Sequence, residues 1–403
     1  MDHNRITLTA LVAITALATP AIPGATAQDI KIGFVTTTTT PAGAIGRDMV
    51  DAVNLAIEHA GGRIAGRSIK LIVEDDGVRA ETGKQKVDRL IKEENVDFIA
   101  GFIWSDVLLA ATGSVFDAKK FLISTNAGPS SLAGKDCHPN FFTLRAQNDV
   151  SPMALGEVLN QRGVKKLYAM APNYAAGQDM VAGVKRTFKG QITGEDFTKW
   201  GAQPQLDFQA ELAKAKASGA DAIFAFFPGR AGPAFLKQYE QSGLAKDGVK
   251  LFTVYTIDDI ALPRLKEGGV DVMGQEFTEF WTPDLDNAAN KRFVEDFRKK
   301  HNRYPSFYAA GAYDLIPYLK AAIESTGGDL TKTDAIRSAL RSAKFESVRG
   351  SFTMGANHFP VNPYYTATTG VDASGAWFSK QTGVAAQALA DPYRGDCKMA
   401  TNN

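Results

Sequence analysis

The strongest constraint on this chain is an alternation that runs its course and then starts again. Short apolar runs of strand length (residues 30–35, 69–73, 98–100 and 121–123) are separated by segments whose apolar residues fall at helical spacing, such as Met49, Val50, Val53 and Ile57. After an extended passage at 139–148 and a helix over 150–162, strand-like runs at 167–170, 192–197, 222–227 and 251–255 alternate with helical segments in the same way. This order predicts parallel strands with right-handed crossovers and helices on both sheet faces. Two such series within 403 residues predict an α/β protein of two doubly wound, Rossmann-like lobes with a cleft between them.

Two loops stand out. The run at 98–100 stops at Gly101, Phe102, Ile103, Trp104, Ser105 and Asp106, and the run at 121–123 stops at Ser124, Thr125, Asn126, Ala127 and Gly128. In open α/β sheets ligands lie just beyond the carboxyl ends of the strands, where loop amides and helix starts point at them. These loops are therefore expected to form half of a small-molecule site. A strand near 274–281 leads to helices at 288–301, 308–325 and 333–342, which have too few strands for a third sheet and are expected to cover the first lobe. A hairpin of 350–353 with 365–369 is expected in the tail, which finishes on the second lobe. The lobes then comprise residues 28–146 with 282–354 and 147–281 with 355–403, joined by three crossings near 145–149, 279–283 and 355–363.

The N-terminus carries Arg5, an uncharged stretch over 6–22, and Ala25-Thr26-Ala27, a small-x-small cleavage pattern. Residues 1–27 are thus expected to be a signal peptide cleaved near Ala27, giving a periplasmic protein; Pro20, Pro23 and the short apolar core argue against an anchor. In an oxidising compartment Cys137 and Cys397 are most simply one disulfide, with two free thiols the alternative. A metal site would need more ligands than five scattered histidines supply. A formal net charge of +1 with no basic tract excludes a general drive toward nucleic acid.

The motifs Thr40-Pro41 with Gly46, Val73-Glu74-Asp75-Asp76, Gly101 to Ser105, Ser124 to Gly128, Gly177-Gln178-Asp179 and Tyr308-Ala309-Ala310-Gly311-Ala312-Tyr313-Asp314 occur here in an order and spacing that resembles the solute-binding proteins of ABC importers, of the leucine-isoleucine-valine type. The resemblance implies a type I periplasmic binding protein fold, a membrane permease as partner, a monomer, no cofactor and no metal. It also implies a ligand carboxylate held by backbone amides and a hydroxyl at Trp104, Ser105, Ala127 and Gly128.

One departure bears on the ligand. Amino-acid binders of this type carry an acidic residue after the last strand of the second lobe, to meet the α-ammonium. Here that position falls on Tyr255 or Thr256, with Asp258 and Asp259 beyond it. A buried ammonium without an acidic partner is costly, so the expected ligand is an aromatic or hydrophobic carboxylate rather than an amino acid. Phe102, Trp104, Tyr174, Phe226, Phe227, Tyr255, Trp281 and Tyr308 are the candidate aromatic walls, although of the adjoining Phe226 and Phe227 only one can face a given side of a strand, and Arg230 is a candidate guanidinium for a ligand oxygen. The alternatives are a branched-chain amino-acid binder or a ligand-sensing receptor. No Gly-x-Ser-x-Gly, Walker, His-Glu-x-x-His or dinucleotide signature is present, so an enzyme is not expected. The acidic run Glu74-Asp75-Asp76 reads as a strand end that buttresses the first loop.

Overall fold

The computed structural model describes Met1 and residues 28–350, 353–389 and 391–399. The signal-peptide reading rests on residues outside these. Among the described residues no helix is long and apolar enough to cross a membrane.

The first sheet takes its strands from the first third of the chain: β1 (Ile30–Thr36), β2 (Arg63–Ile64), β3 (Arg67–Asp75), β4 (Phe98–Gly101), β5 (Phe121–Ser124) and β6 (Phe141–Thr143), in the order β2-β3-β1-β4-β5-β6. Every pairing is parallel except the small β2–β3 hairpin. All residues of β4 and β5 are buried, which is why they read as unbroken apolar runs. Helices α1 (Gly43–His59), α2 (Ala80–Lys92), α3 (Ser105–Asp117) and α4 (Ser130–Ala133) connect them. In α2 Gly83, Val87 and Leu90 make the single buried stripe expected of a helix laid on a sheet.

The second sheet holds β7 (Lys166–Pro172), β8 (Gln191–Thr198), β9 (Ala222–Ala225), β10 (Lys250–Val254) and β11 (Glu276–Glu279), linked through α5 (Val150–Gln161), α6 (Ala175–Thr187), α7 (Gln209–Ala217), α8 (Ala231–Gln241) and α9 (Leu262–Glu267). Then come α10 (Ala288–His301), α11 (Phe307–Tyr313), α12 (Leu315–Ser325) and α13 (Thr333–Ser342), of which α11 and α12 pack on α1 of the first lobe. Helix α10 is well delimited: the Asn287 side chain accepts from the Asn290 N–H, and Asn302 ends it in the left-handed conformation after four basic residues.

The tail differs from expectation. β12 (Thr353–Met354) pairs with β13 (Pro360–Val361), while β14 (Tyr364–Val371) pairs with β15 (Trp377–Ala386) and joins the second sheet antiparallel to β11. The final sheet order is β15-β14-β11-β10-β9-β7-β8. Residues 139–148 are also more than a passage, because β6 is a full sheet member.

Without β2, the first sheet runs β3-β1-β4-β5-β6, and the parallel part of the second runs β8-β7-β9-β10-β11. Each has one point where the chain turns from one side of its first strand to the other, between β1 and β4 and between β7 and β9. Ligands of doubly wound sheets collect at such points. The disulfide between Cys137 and Cys397 is present, with a Cα–Cα distance of 5.6 Å. It ties the tail to the first lobe, while Tyr393 in the same tail meets the second lobe, accepting from Arg186 (2.8 Å) and donating to Asp149 (3.1 Å). Beside it, the Asn357 amide donates to the Ala133 carbonyl (2.9 Å) and to Asp391 (2.6 Å).

Candidate functional site

The loops beyond β4 and β5 are tied to each other. The Thr125 amide donates to the Gly101 carbonyl (2.9 Å), the Ala127 amide to the Phe102 carbonyl (3.0 Å) and the Asn126 side chain to the Ile103 carbonyl (2.8 Å). Gly101 makes this possible: it sits at φ +106°, and a Cβ there would lie 2.3 Å from the Val35 oxygen. The acidic run buttresses the first loop. The Trp104 indole donates to the Thr37 hydroxyl (2.8 Å), which donates to Asp76, while the Asp75 carboxylate accepts from the Thr38 amide (2.8 Å). Burial holds Asp76 up at about 6.

Helix α11 is set against the second loop by a close approach. A Cβ on Gly311 would stand 2.4 Å from the Thr125 oxygen, so only glycine lets the helix seat there. Gly311→Ala is expected to cost about 1–3 kcal/mol through overpacking, and to shift Tyr308. Denaturant midpoints measure the first effect and ligand titration the second; an unchanged midpoint would refute the packing argument.

Between the facing switch points lies a small enclosed cavity. It is lined from the first lobe by Trp104, Ser105, Ala127 and Tyr308, from the second by Tyr174, Phe226 and Tyr255, and from the passage between them by Arg145 and Asn148. The cavity is narrow, and contacts across its mouth such as the Trp200 indole with Asp106 hold the two lobes together.

Seven of the sequence candidates meet there: Trp104, Ser105, Ala127, Tyr174, Phe226, Tyr255 and Tyr308. Ser105 is the first residue of α3, but its hydroxyl does not cap the helix and instead accepts from the Asn148 amide (3.2 Å). The Ala127 amide, expected to be free for a ligand, is used on Phe102. Five candidates are not brought to the cavity wall. Phe102 is buried behind its loop at φ +67°, and the Gly128 carbonyl accepts from the Asn148 amide below it (2.8 Å). Phe227 packs between Phe208 and Phe235 in the second lobe's core, because neighbouring strand residues face opposite sides and Phe226 takes the cavity side. The Trp281 indole donates to Asn290 (2.7 Å) and anchors α10. Arg230 is exposed at the start of α8.

The residue that sequence reading assigned only to a crossing is Arg145. Its guanidinium lies 3.9 Å over the Tyr255 ring, with Phe280 and Phe307 at 5.4 and 5.6 Å, and it donates to the Asn126 side chain (2.7 Å). Tyr255 reaches this position at φ +55°, a conformation costly for an aromatic residue and found where surrounding structure imposes it. Among the described residues no carboxylate comes within 4.0 Å of Arg145. Behind it, Glu279 is buried with neither carboxyl oxygen hydrogen-bonded, and burial pushes its pKa well up while Arg145 opposes that.

Asp258 and Asp259 do not reach the cavity either. Asp258 accepts from the Ile260 and Ala261 amides (2.9 and 2.7 Å), and Asp259 from the Ser379 amide (2.8 Å). Burial raises them to about 7 and about 8. An unfolded aspartate titrates near 3.9, so from about pH 4 to about pH 8 the unfolded chain loses these protons first and stability falls. Melting temperature is expected to drop from about pH 5 to about pH 8, and Asp259→Asn to flatten part of that slope. An identical slope in the variant would show that Asp259 does not contribute.

Comparison with known proteins places this geometry. A solute-binding protein of an ABC transporter from R. palustris, solved in complex with benzoate, superposes with a TM-score of 0.84 at 28% identity, covering 92% of this chain and all of that one. A second, from Rhodopseudomonas palustris BisB5 in complex with 3,4-dihydroxybenzoic acid, gives 0.83 at 27% identity over 91% of this chain and 99% of its own. Among curated proteins, the Leu/Ile/Val-binding protein homolog 6 of Brucella abortus is 26% identical over 395 residues, 94% of this chain and 96% of that protein. With the pattern of one family matching residues 29–376, through both sheets and the helices that follow them, this chain belongs to the periplasmic binding proteins.

Proposed function

We propose that this protein is the solute-binding component of an ABC importer, exported to the periplasm, which closes on a small aromatic carboxylate and delivers it to a membrane permease. The observation that carries the ligand class is Arg145: a buried cation at the cavity, ringed by aromatic side chains and without an acidic partner within ion-pair distance among the described residues. A buried charge in that condition is costly, and a bound carboxylate offsets it through a charge-assisted, two-pronged contact. The walls of Trp104, Tyr174, Phe226, Tyr255 and Tyr308 suit a flat ring. Tyr174 and Tyr308 have no hydrogen-bond partner for their hydroxyls among the described residues, so a ring oxygen would be satisfied there.

Two structural neighbours above 25% identity hold benzoate and 3,4-dihydroxybenzoic acid. The curated relatives named for leucine, isoleucine and valine keep a branched-chain amino acid as the second reading. Against it, Asp258 is occupied by backbone amides, and the site would bring an ammonium up to a guanidinium.

Thermal shift with benzoate, 3,4-dihydroxybenzoate, leucine and valine tests the reading. Ligand at one hundred times its Kd adds about 2.7 kcal/mol, so a rise in Tm with the aromatic acids is expected. A rise with leucine or valine alone would replace the aromatic reading by the amino-acid one.

A further inference from the structure

The segment between β8 and α7, residues 199–208, is a loop with its own construction. The Gln205 amide closes it onto the Lys199 carbonyl (3.1 Å), the Phe208 amide ties its far end to Gln238 (2.7 Å), and Gly201 turns it at φ +113°. What the loop presents is Trp200. Its ring stacks on Tyr174 at 3.9 Å with an interplanar angle of 10° and meets Trp104 edge-on at 4.9 Å. Its indole N–H donates to the Asp106 carboxylate (3.1 Å). Tyr174 belongs to the second lobe, whereas Trp104 and Asp106 belong to the first. Trp104 and Tyr174 are buried cavity walls, while Trp200 is partly exposed and does not line the cavity.

Trp200 is thus an outer ring laid across the seam, bonded to both lobes and in contact with the walls rather than the contents of the site. We propose that Trp200 is the gate of the cavity: it takes no part in choosing the ligand, and its seating on Asp106 of the opposite lobe sets how slowly a bound ligand leaves. The inference rests on the cavity being the capture site. The lobes cannot part without breaking the Trp104–Trp200 ring contact and the hydrogen bond to Asp106, while an open protein has made neither; the stack on Tyr174 lies within the second lobe and holds Trp200 in place. Such contacts act on the dissociation rate and leave association nearly untouched.

Stopped-flow binding of benzoate and 3,4-dihydroxybenzoate to the full chain tests this. Trp200→Ala is expected to raise the dissociation rate about tenfold, as one aromatic contact and one hydrogen bond across the seam imply, with the association rate unchanged within about threefold. Trp200→Phe keeps the stack and loses the N–H, so it and Asp106→Asn should each give a smaller rise, and the double variant no more than the larger single one. Unchanged dissociation, or a loss confined to association, would overturn the gate. If Trp200→Ala does not fold, the two conservative variants carry the test. Should neither acid bind, the reading of the cavity fails, and the latch is then measured without ligand. Melting of Trp200→Phe, Asp106→Asn and the double variant should be non-additive, and additive or absent shifts would overturn it.

Discussion

Arg145→Met should cripple capture of aromatic acids, lowering affinity by at least about thirtyfold. Removing one partner of a buried, hydrogen-bonded charge pair costs about 2–5 kcal/mol, and a ligand carboxylate left in this cavity would face aromatic rings, hydroxyls and the Asn126 and Asn148 side chains, with no cation. Methionine keeps the volume of the stem, and the change removes a buried cation that lacks an acidic partner within 4.0 Å among the described residues. The ligand-free protein should therefore melt within a few degrees of the original, while most of the ligand-induced rise is lost. That combination separates a binding defect from a folding defect. Arg145→Lys retains charge without the planar fork and should bind with intermediate affinity. Calorimetric titration reads all three proteins, and a Kd for Arg145→Met within about threefold of the original would exclude the guanidinium as carboxylate partner.

The largest effect on stability should come from Asp314→Ala. Asp314 sits between α11 and α12 with its carboxylate fully buried, accepting from the Ser347 hydroxyl (2.6 Å), the Val348 amide (3.1 Å) and Arg349 Nε (3.0 Å). Arg349 is itself fully buried. Breaking a buried pair from one side typically costs about 3–5 kcal/mol, because the remaining charge keeps its desolvation and loses its counter-ion. Asp314→Asn preserves size and some acceptors and should cost less. Urea denaturation measures both, and a loss below about 1 kcal/mol for the alanine variant would mean the pair is not structural.

Asp314 also shows what a linear reading could not reach. The run 308–325 has one helical period and reads as one helix, yet the chain breaks there into α11 and α12. The break is held by contacts to residues 347–349, more than thirty positions away. The central strands were legible because burial on both faces leaves an unbroken apolar signature, and the motif glycines because a missing side chain marks a close approach, as at Gly101 and Gly311. Pairing of the late strands was not, since antiparallel partners are chosen by what lies across the sheet. Phe226 and Phe227 differ by one position, so which ring reaches the cavity depends on strand parity, and this is set by the whole sheet. Arg145 carried no signal in sequence: its environment is assembled from Tyr255, Phe280 and Phe307, which the chain supplies more than a hundred residues later.

The bond between Cys137 and Cys397 joins positions 260 residues apart, and it sets an order of events in the making of the molecule. The strands of the first sheet are synthesised within residues 30–143, early enough to pair while the rest of the chain is still emerging. Their covering helices α11 and α12 arrive only after the second sheet's parallel strands, and the thiol that meets Cys137 only after β15. The first lobe therefore waits, half covered and with Cys137 lacking its disulfide partner, until nearly the whole chain has been made. During that interval its apolar face is the part of the molecule most in need of a chaperone.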